Sequence, residues 1–124
     1  MKTMLGIDVV QISRIEALRE KPAFLRRAFT AAELEYYKKG GERAGTLAGM
    51  YALKEAAAKA LGTGFDGFKL KDIEISHTDA GAPLVLFHGK ALELFQRTGA
   101  ESAACSVSHE REYAVAICLL GVSG

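Results

Sequence analysis

Cysteine is too scarce in this chain to hold it together. Cys105 and Cys118 are the only two, and their spacing matches no zinc signature, which needs four ligands clustered in pairs. That excludes a disulfide framework and points to a reducing compartment, the cytoplasm. Proline occurs only twice, and neither sign of charge dominates, with 16 Lys+Arg against 15 Asp+Glu. A net charge of +1 exerts no global pull on nucleic acid or an anionic membrane, so electrostatic recognition has to be local. No run approaches the roughly 18 consecutive apolar residues that a spanning helix requires. The opening stretch from Met1 to Asp8 is also too short in apolar residues for a secretory signal. What is present is 124 residues, 49% hydrophobic and 25% charged. That is near the commonest domain size, and it reads as one globular domain over 1–124 that buries roughly two thirds of its unfolded surface.

Leu5 to Val10 reads as a short buried strand carrying Asp8. From Gln11 to Glu20, Ile12, Ile15 and Leu18 recur at helical spacing, and Pro22 stops that helix and opens another through Phe29. Thr30-Ala31-Ala32-Glu33 is a capping box at the start of a helix through Tyr37, ended by Gly40-Gly41. Arg43 to Leu61, rich in Ala, Leu, Met, Glu and Lys, is the longest helical signal, with Gly62 as its left-handed cap. Asp72 to His77 alternates as a strand. Leu84 to Phe87 is a second, Gly89 to Arg97 a helix, and Ala103 to His109 with Tyr113 to Leu120 a hairpin. This order is no regular βαβ alternation, so the expected class is α+β, a small antiparallel sheet packed on a long helix.

Two acids stand out. Asp8 on a buried strand and Glu55 on the Ala-rich helix can converge on one hard cation, since Mg²⁺ takes one or two protein carboxylates and completes its shell with phosphate and water. The bland alternative is that Asp8 caps the next helix and Glu55 pairs with Lys59 at i,i+4. Lys54 points about 100° away from Glu55 around the helix and suits a phosphate as a point charge. Lys59 lies one turn below Glu55, and Gly62-Thr63-Gly64 follows, where backbone amides can approach an anion. That glycine pair follows a helix instead of preceding one, so the helix dipole gives no help there. In Ser106-Val107-Ser108-His109 the spacing puts Ser106 and His109 on opposite faces of a strand, which argues against a nucleophile–base pair and leaves His109 as a hydrogen-bonding rim residue.

The segment from Gln11 to Phe29 carries five cations, Arg14, Arg19, Lys21, Arg26 and Arg27, against Glu16 and Glu20. If its first helix reaches Lys21, then Arg14, Leu18 and Lys21 share one side, a basic and apolar stripe suited to an acidic partner helix. No aromatic-rich sheet motif accompanies it, which argues against nucleic acid.

Gly6-Ile7-Asp8, Phe29-Thr30 with Glu33, Leu47-Ala48-Gly49 running into Ala52-Leu53-Lys54-Glu55-Ala56, Lys59-Ala60-Leu61-Gly62-Thr63-Gly64 and Ser106-Val107-Ser108-His109 together resemble the holo-acyl-carrier-protein synthases. The resemblance spans essentially the whole chain. That family consists of small 4′-phosphopantetheinyl transferases, homotrimers with sites between subunits. They use Mg²⁺ to move 4′-phosphopantetheine from coenzyme A to a serine of acyl carrier protein. By resemblance, Asp8 and Glu55 are the catalytic Mg²⁺ ligands. Lys54, Lys59 and His109 contact coenzyme A phosphates, and Gly62, Thr63 and Gly64 form the adenosine-side loop. Arg14, Leu18, Lys21 and Arg26 dock the carrier. Met50 stands where the family commonly has Arg, and Ala58 where Ser is frequent, departures that bear on coenzyme A affinity more than on reaction type. The alternatives are a transferase for a polyketide or peptide-synthetase carrier and a non-enzymatic coenzyme A-binding module.

Overall fold

The computed structural model describes residues 2–62, 64 and 67–123. Strand β1 (Lys2–Gln11) leads directly into α1 (Ile12–Leu18), followed by α2 (Pro22–Ala28), α3 (Ala31–Lys39) and the long α4 (Ala44–Leu61). A 3₁₀ turn at Leu70–Asp72 precedes β2 (Ile73–His77), β3 (Pro83–Phe87), α5 (Gly89–Arg97), β4 (Ala100–His109) and β5 (Tyr113–Val122). β1, β5 and β4 form an antiparallel sheet in that order, and β2 pairs with β3 in a separate antiparallel ribbon. The α+β class expected from the sequence is therefore observed. No helix among the described residues is long and apolar enough to cross a membrane.

The local signals act as their chemistry dictates. The Thr30 hydroxyl accepts from the Glu33 amide, and the Glu33 carboxylate accepts from the Thr30 amide, so the capping box is closed in both directions. Gly62 ends α4 at φ +89°, a left-handed conformation that glycine adopts without strain. Several boundaries differ from expectation, among them Asp72, which belongs to the 3₁₀ turn and not to β2. The strands of the hairpin and β1 run further than their alternating patterns, because pairing with β5 carries the ladder to Val122. And α1 stops at Leu18, so Lys21 lies outside it as the residue that caps α2, and the shared face of Arg14, Leu18 and Lys21 does not form.

Helix α4 packs across β1 and β5 and supplies much of the core. Val10 of β1 and Ala114, Ala116, Cys118 and Leu120 of β5 face it and are buried. Cys118 lies directly opposite Cys105 on β4; both are free thiols, and burial pushes Cys118 up to about 12. The odd-numbered residues face outward. Leu5, Ile7 and Val9 are 56%, 53% and 57% exposed, and their register partners on β5 are Leu119, Ile117 and Val115. A ribbon of aliphatic side chains thus lies open on the sheet face opposite α4.

Candidate active site

Between Leu47 and Leu61 every residue of α4 is buried except Glu55 and Lys59. The two are separated by one turn, so the helix opens to solvent along a single narrow line. Asp8 meets that line from β1. Its neighbour Gly6 explains how: a Cβ there would collide with the Ala56 carbonyl and come within 2.6 Å of the Ala60 amide nitrogen. Glycine in this strand is a site of close backbone approach, and the small side chains of Ala56 and Ala60 complete the contact.

The bland reading of the acids fails on geometry. α1 is capped by Gln11 with no side-chain hydrogen bond, so Asp8 is not a cap. Lys59 turns to β1 instead of to Glu55, donating through Nζ to Asp8 Oδ1 at 2.9 Å and to the Ile7 carbonyl at 3.0 Å. Glu55 keeps its charge less well compensated. Burial raises its carboxyl above the usual range first, and the negative charge of Asp8 raises it further, against smaller lowering effects from the Tyr51 hydroxyl, Lys59 and Arg14. Tyr51, one turn before Glu55, is raised chiefly by burial and then by Glu55. The Arg14 guanidinium stands 5.6 Å from the Tyr51 ring centroid. Sequence reasoning gave Arg14 a docking role alone and missed Tyr51, although an aromatic hydroxyl at i−4 from Glu55 is a signal the spacing carries.

Lys54 requires a correction. Expected as a phosphate contact, it is fully buried, ion-paired with Glu33 at 2.9 Å and hydrogen-bonded to the carbonyls of Leu70 and Ile73. Burial lowers its pKa, partly offset by Glu33. Its three N–H groups are spent inside the protein, and none is offered to a ligand in this arrangement.

The other expected residues fall into separate places. Gly62 and Gly64 follow the end of α4, at φ +89° and +59°, and the Gly62 amide donates to the Lys59 carbonyl; Thr63 lies outside the described residues. His109 ends β4 on the sheet face toward α4, with its ring against Gly45. Ten residues of helix separate Gly45 from Glu55, roughly 15 Å, so one chain does not bring His109 to the acid pair. His109 instead borders a groove of about 180 Å³ lined also by Tyr36, Thr46, Met50, His77 and Pro83. The His77 and Tyr36 rings stack at 3.8 Å between centroids, and His77 Nδ1 is buried without a hydrogen-bond partner. Met50 and Ala58 are both buried. Arg14, Lys21 and Arg26 are exposed and Leu18 half-buried, while Arg19 is committed to the Tyr37 hydroxyl and the Glu42 carbonyl.

Known proteins resemble this chain in sequence and fold. A holo-[acyl-carrier-protein] synthase of Thermoanaerobacter sp. (strain X514) is 38% identical over 100% of this chain and 90% of its own length. That of Halorhodospira halophila is 44% identical over 94% of each. Among solved structures, the Helicobacter pylori holo-[acyl-carrier-protein] synthase in complex with coenzyme A superposes with a TM-score of 0.84 at 34% identity, covering 95% of this chain and 100% of that one. The Neisseria meningitidis enzyme gives 0.85 at 32%, covering 95% and 97%. The family profile matches residues 4–118, and with it the chain belongs to the 4′-phosphopantetheinyl transferase superfamily.

Proposed function

We infer that the protein transfers 4′-phosphopantetheine from coenzyme A to a serine of acyl carrier protein, converting apo-carrier to holo-carrier in the cytoplasm. The carrier serine oxygen forms a bond to the phosphorus nearest the pantetheine arm. The bond from that phosphorus to the bridging oxygen breaks, adenosine 3′,5′-bisphosphate departs, and the serine proton is released. Such a transfer needs positioning and charge neutralisation, with no protein nucleophile. The observation that carries this reading is the single opening of α4, Glu55 and Lys59, set against Asp8 by the close approach at Gly6.

The residues suit Mg²⁺. Asp8 and Glu55 are hard oxygen donors whose like charges already raise Glu55. Among the described residues no third His, Cys, Asp or Glu joins them in a metal-holding group. A two-carboxylate set of this kind is what Mg²⁺ uses when phosphate and water fill its remaining positions. Asp8 and Glu55 would hold Mg²⁺, which would supply neutralisation of the diphosphate and of the departing bisphosphate. Lys59, half-exposed at the same opening, offers the ligand a second positive charge, and Arg14 adds its field from above Tyr51. Gly62 to Gly64 and the groove beside His109 take the outlying parts of coenzyme A.

Exposed Leu5, Ile7 and Val9 with Val115 and Leu119 support assembly into a homotrimer over the open sheet face. A light-scattering mass of three chains checks it. Because one chain does not bring His109 to the acid pair, the proposed sites lie between subunits, with His109 supplied by a neighbouring copy. Mass spectrometry of apo-acyl carrier protein incubated with the enzyme, coenzyme A and Mg²⁺ tests the function. A gain of one phosphopantetheinyl group is expected; an unchanged carrier mass overturns the reading.

A further inference from the structure

The two most deeply enclosed charges among the described residues sit beside the proposed site without touching it. Glu33 and Lys54 are the only charged side chains among the described residues that are fully buried. Lys54 Nζ donates to Glu33 Oε1 at 2.9 Å, to the Leu70 carbonyl at 3.1 Å and to the Ile73 carbonyl, three acceptors for three N–H bonds. Glu33 Oε1 also accepts from the Thr30 amide at 2.8 Å, and Oε2 from the Ile75 amide at 2.7 Å. The Thr30 hydroxyl donates onward to Glu74 Oε2 at 2.7 Å. One ammonium from α4 therefore ties that helix to the start of α3, to the 3₁₀ turn and to β2.

Stability alone is a poor reason for such a pair, since buried ion pairs are commonly no better than apolar residues of the same volume. Direction is a better one. Ala52, Ala56, Ala57, Ala58 and Ala60 are all buried, and such short side chains around Glu55 interlock less with their neighbours than larger ones would to set the rotation of the helix. A long side chain held by three directional bonds removes that freedom. Because neighbouring helix residues are about 100° apart, an azimuth fixed at Lys54 is an azimuth fixed at Glu55.

We propose that Lys54, clamped by Glu33, is a positioning residue for phosphopantetheine transfer, setting the rotation of α4 that turns Glu55 toward Asp8. The proposal rests on the reading of Asp8 and Glu55 as the cation-holding pair.

The test uses the full-length protein and Mn²⁺ as probe, with free Mn²⁺ read by electron paramagnetic resonance alongside Tm and transfer rate. Glu33→Gln with Lys54→Met removes both charges together and strands neither. We expect a folded protein whose Mn²⁺ dissociation constant rises and whose kcat falls, each on the order of tenfold, as a displaced ligand dictates. Wild-type Mn²⁺ affinity and kcat in that folded variant would overturn the positioning role. Should the double variant not fold, Glu33→Gln alone decides, assayed below its lowered Tm where circular dichroism shows it folded: Mn²⁺ binding weakened severalfold supports the clamp, and wild-type binding overturns it. Asp8→Ala separates the two layers of inference. Mn²⁺ binding undiminished there means that the cation pair itself is misassigned, and the clamp falls with it; binding lost there but intact in the clamp variants means that only the clamp is wrong.

Discussion

Helix α4 carries two lysines five residues apart, each facing an acid from another element, and the two sites behave in opposite ways. Lys54 and Glu33 form a closed account of hydrogen bonds, fully buried, with every donor and both carboxylate oxygens matched. Lys59 and Asp8 are partly open to water, and beside them Glu55 bears a charge that burial and Asp8 both disfavour. The same residue types thus give a structural joint on one side of the helix and the proposed reactive opening on the other. What separates them is whether the surrounding groups complete the polar partners or leave a charge seeking one.

The sharpest way to break this contrast is to neutralise the opening. Glu55→Gln should lower transfer by on the order of 10³-fold, measured with saturating coenzyme A and Mg²⁺, while the Tm of the metal-free protein rises at pH 7. The sign follows from linkage. Because the folded-state pKa of Glu55 is raised, ionisation costs the fold stability at pH values above it. That cost disappears as pH falls through the raised pKa, and the variant's Tm advantage should fade over the same interval. An equal Tm difference at all pH values would contradict the assigned strain.

Next in size is the closed side. Lys54→Ala leaves Glu33 buried and unpaired and should cost about 3–5 kcal/mol in denaturant unfolding. Lys59→Ala removes a partly exposed pair worth about 0–1 kcal/mol and should show instead as a raised KM for coenzyme A. Equal stability losses would erase the distinction. Gly6→Ala probes the opening from the strand side: the added methyl meets the Ala56 carbonyl, β1 has to back away, and about 1–3 kcal/mol of stability goes with it. Transfer should fall beyond what unfolding explains, since Asp8 moves with the strand, whereas the Glu33–Lys54 joint stays in place. The smallest effect belongs to cations outside both sites. Lys21→Glu with Arg26→Glu should slow modification of an acidic carrier severalfold at low salt and leave coenzyme A KM unchanged, the difference shrinking as salt is added.

Much of the frame was legible in the residues. The capping box at Thr30 and Glu33, the Ala-rich helix with its Gly62 stop and the terminal hairpin each carry a local cause, and each formed around it, the hairpin with longer strands than its pattern marked. Asp8 and Glu55 were legible as candidates because carboxylates within apolar surroundings demand a reason. The fate of Lys54 was not. A lysine in a helix reads as a solvated head on a flexible stem, and its burial depends on Glu33, twenty-one positions earlier, and on carbonyls at Leu70 and Ile73 that only the folded 3₁₀ turn assembles. The end of α1 at Leu18 was hidden for a related reason. Periodicity marks a face but not its last residue, so the shared side for Arg14 and Lys21 was an artefact of extending the wheel.

The aliphatic ribbon on β1 and β5 has a practical corollary. β1 is an edge strand, so a protomer outside the proposed trimer would offer water both oily side chains and unpaired peptide groups along one strip. Substitutions that prevent this strip from being covered should therefore yield chains that precipitate or are cleared by proteases instead of soluble single copies. Loss of activity in such variants would first be seen as loss of protein.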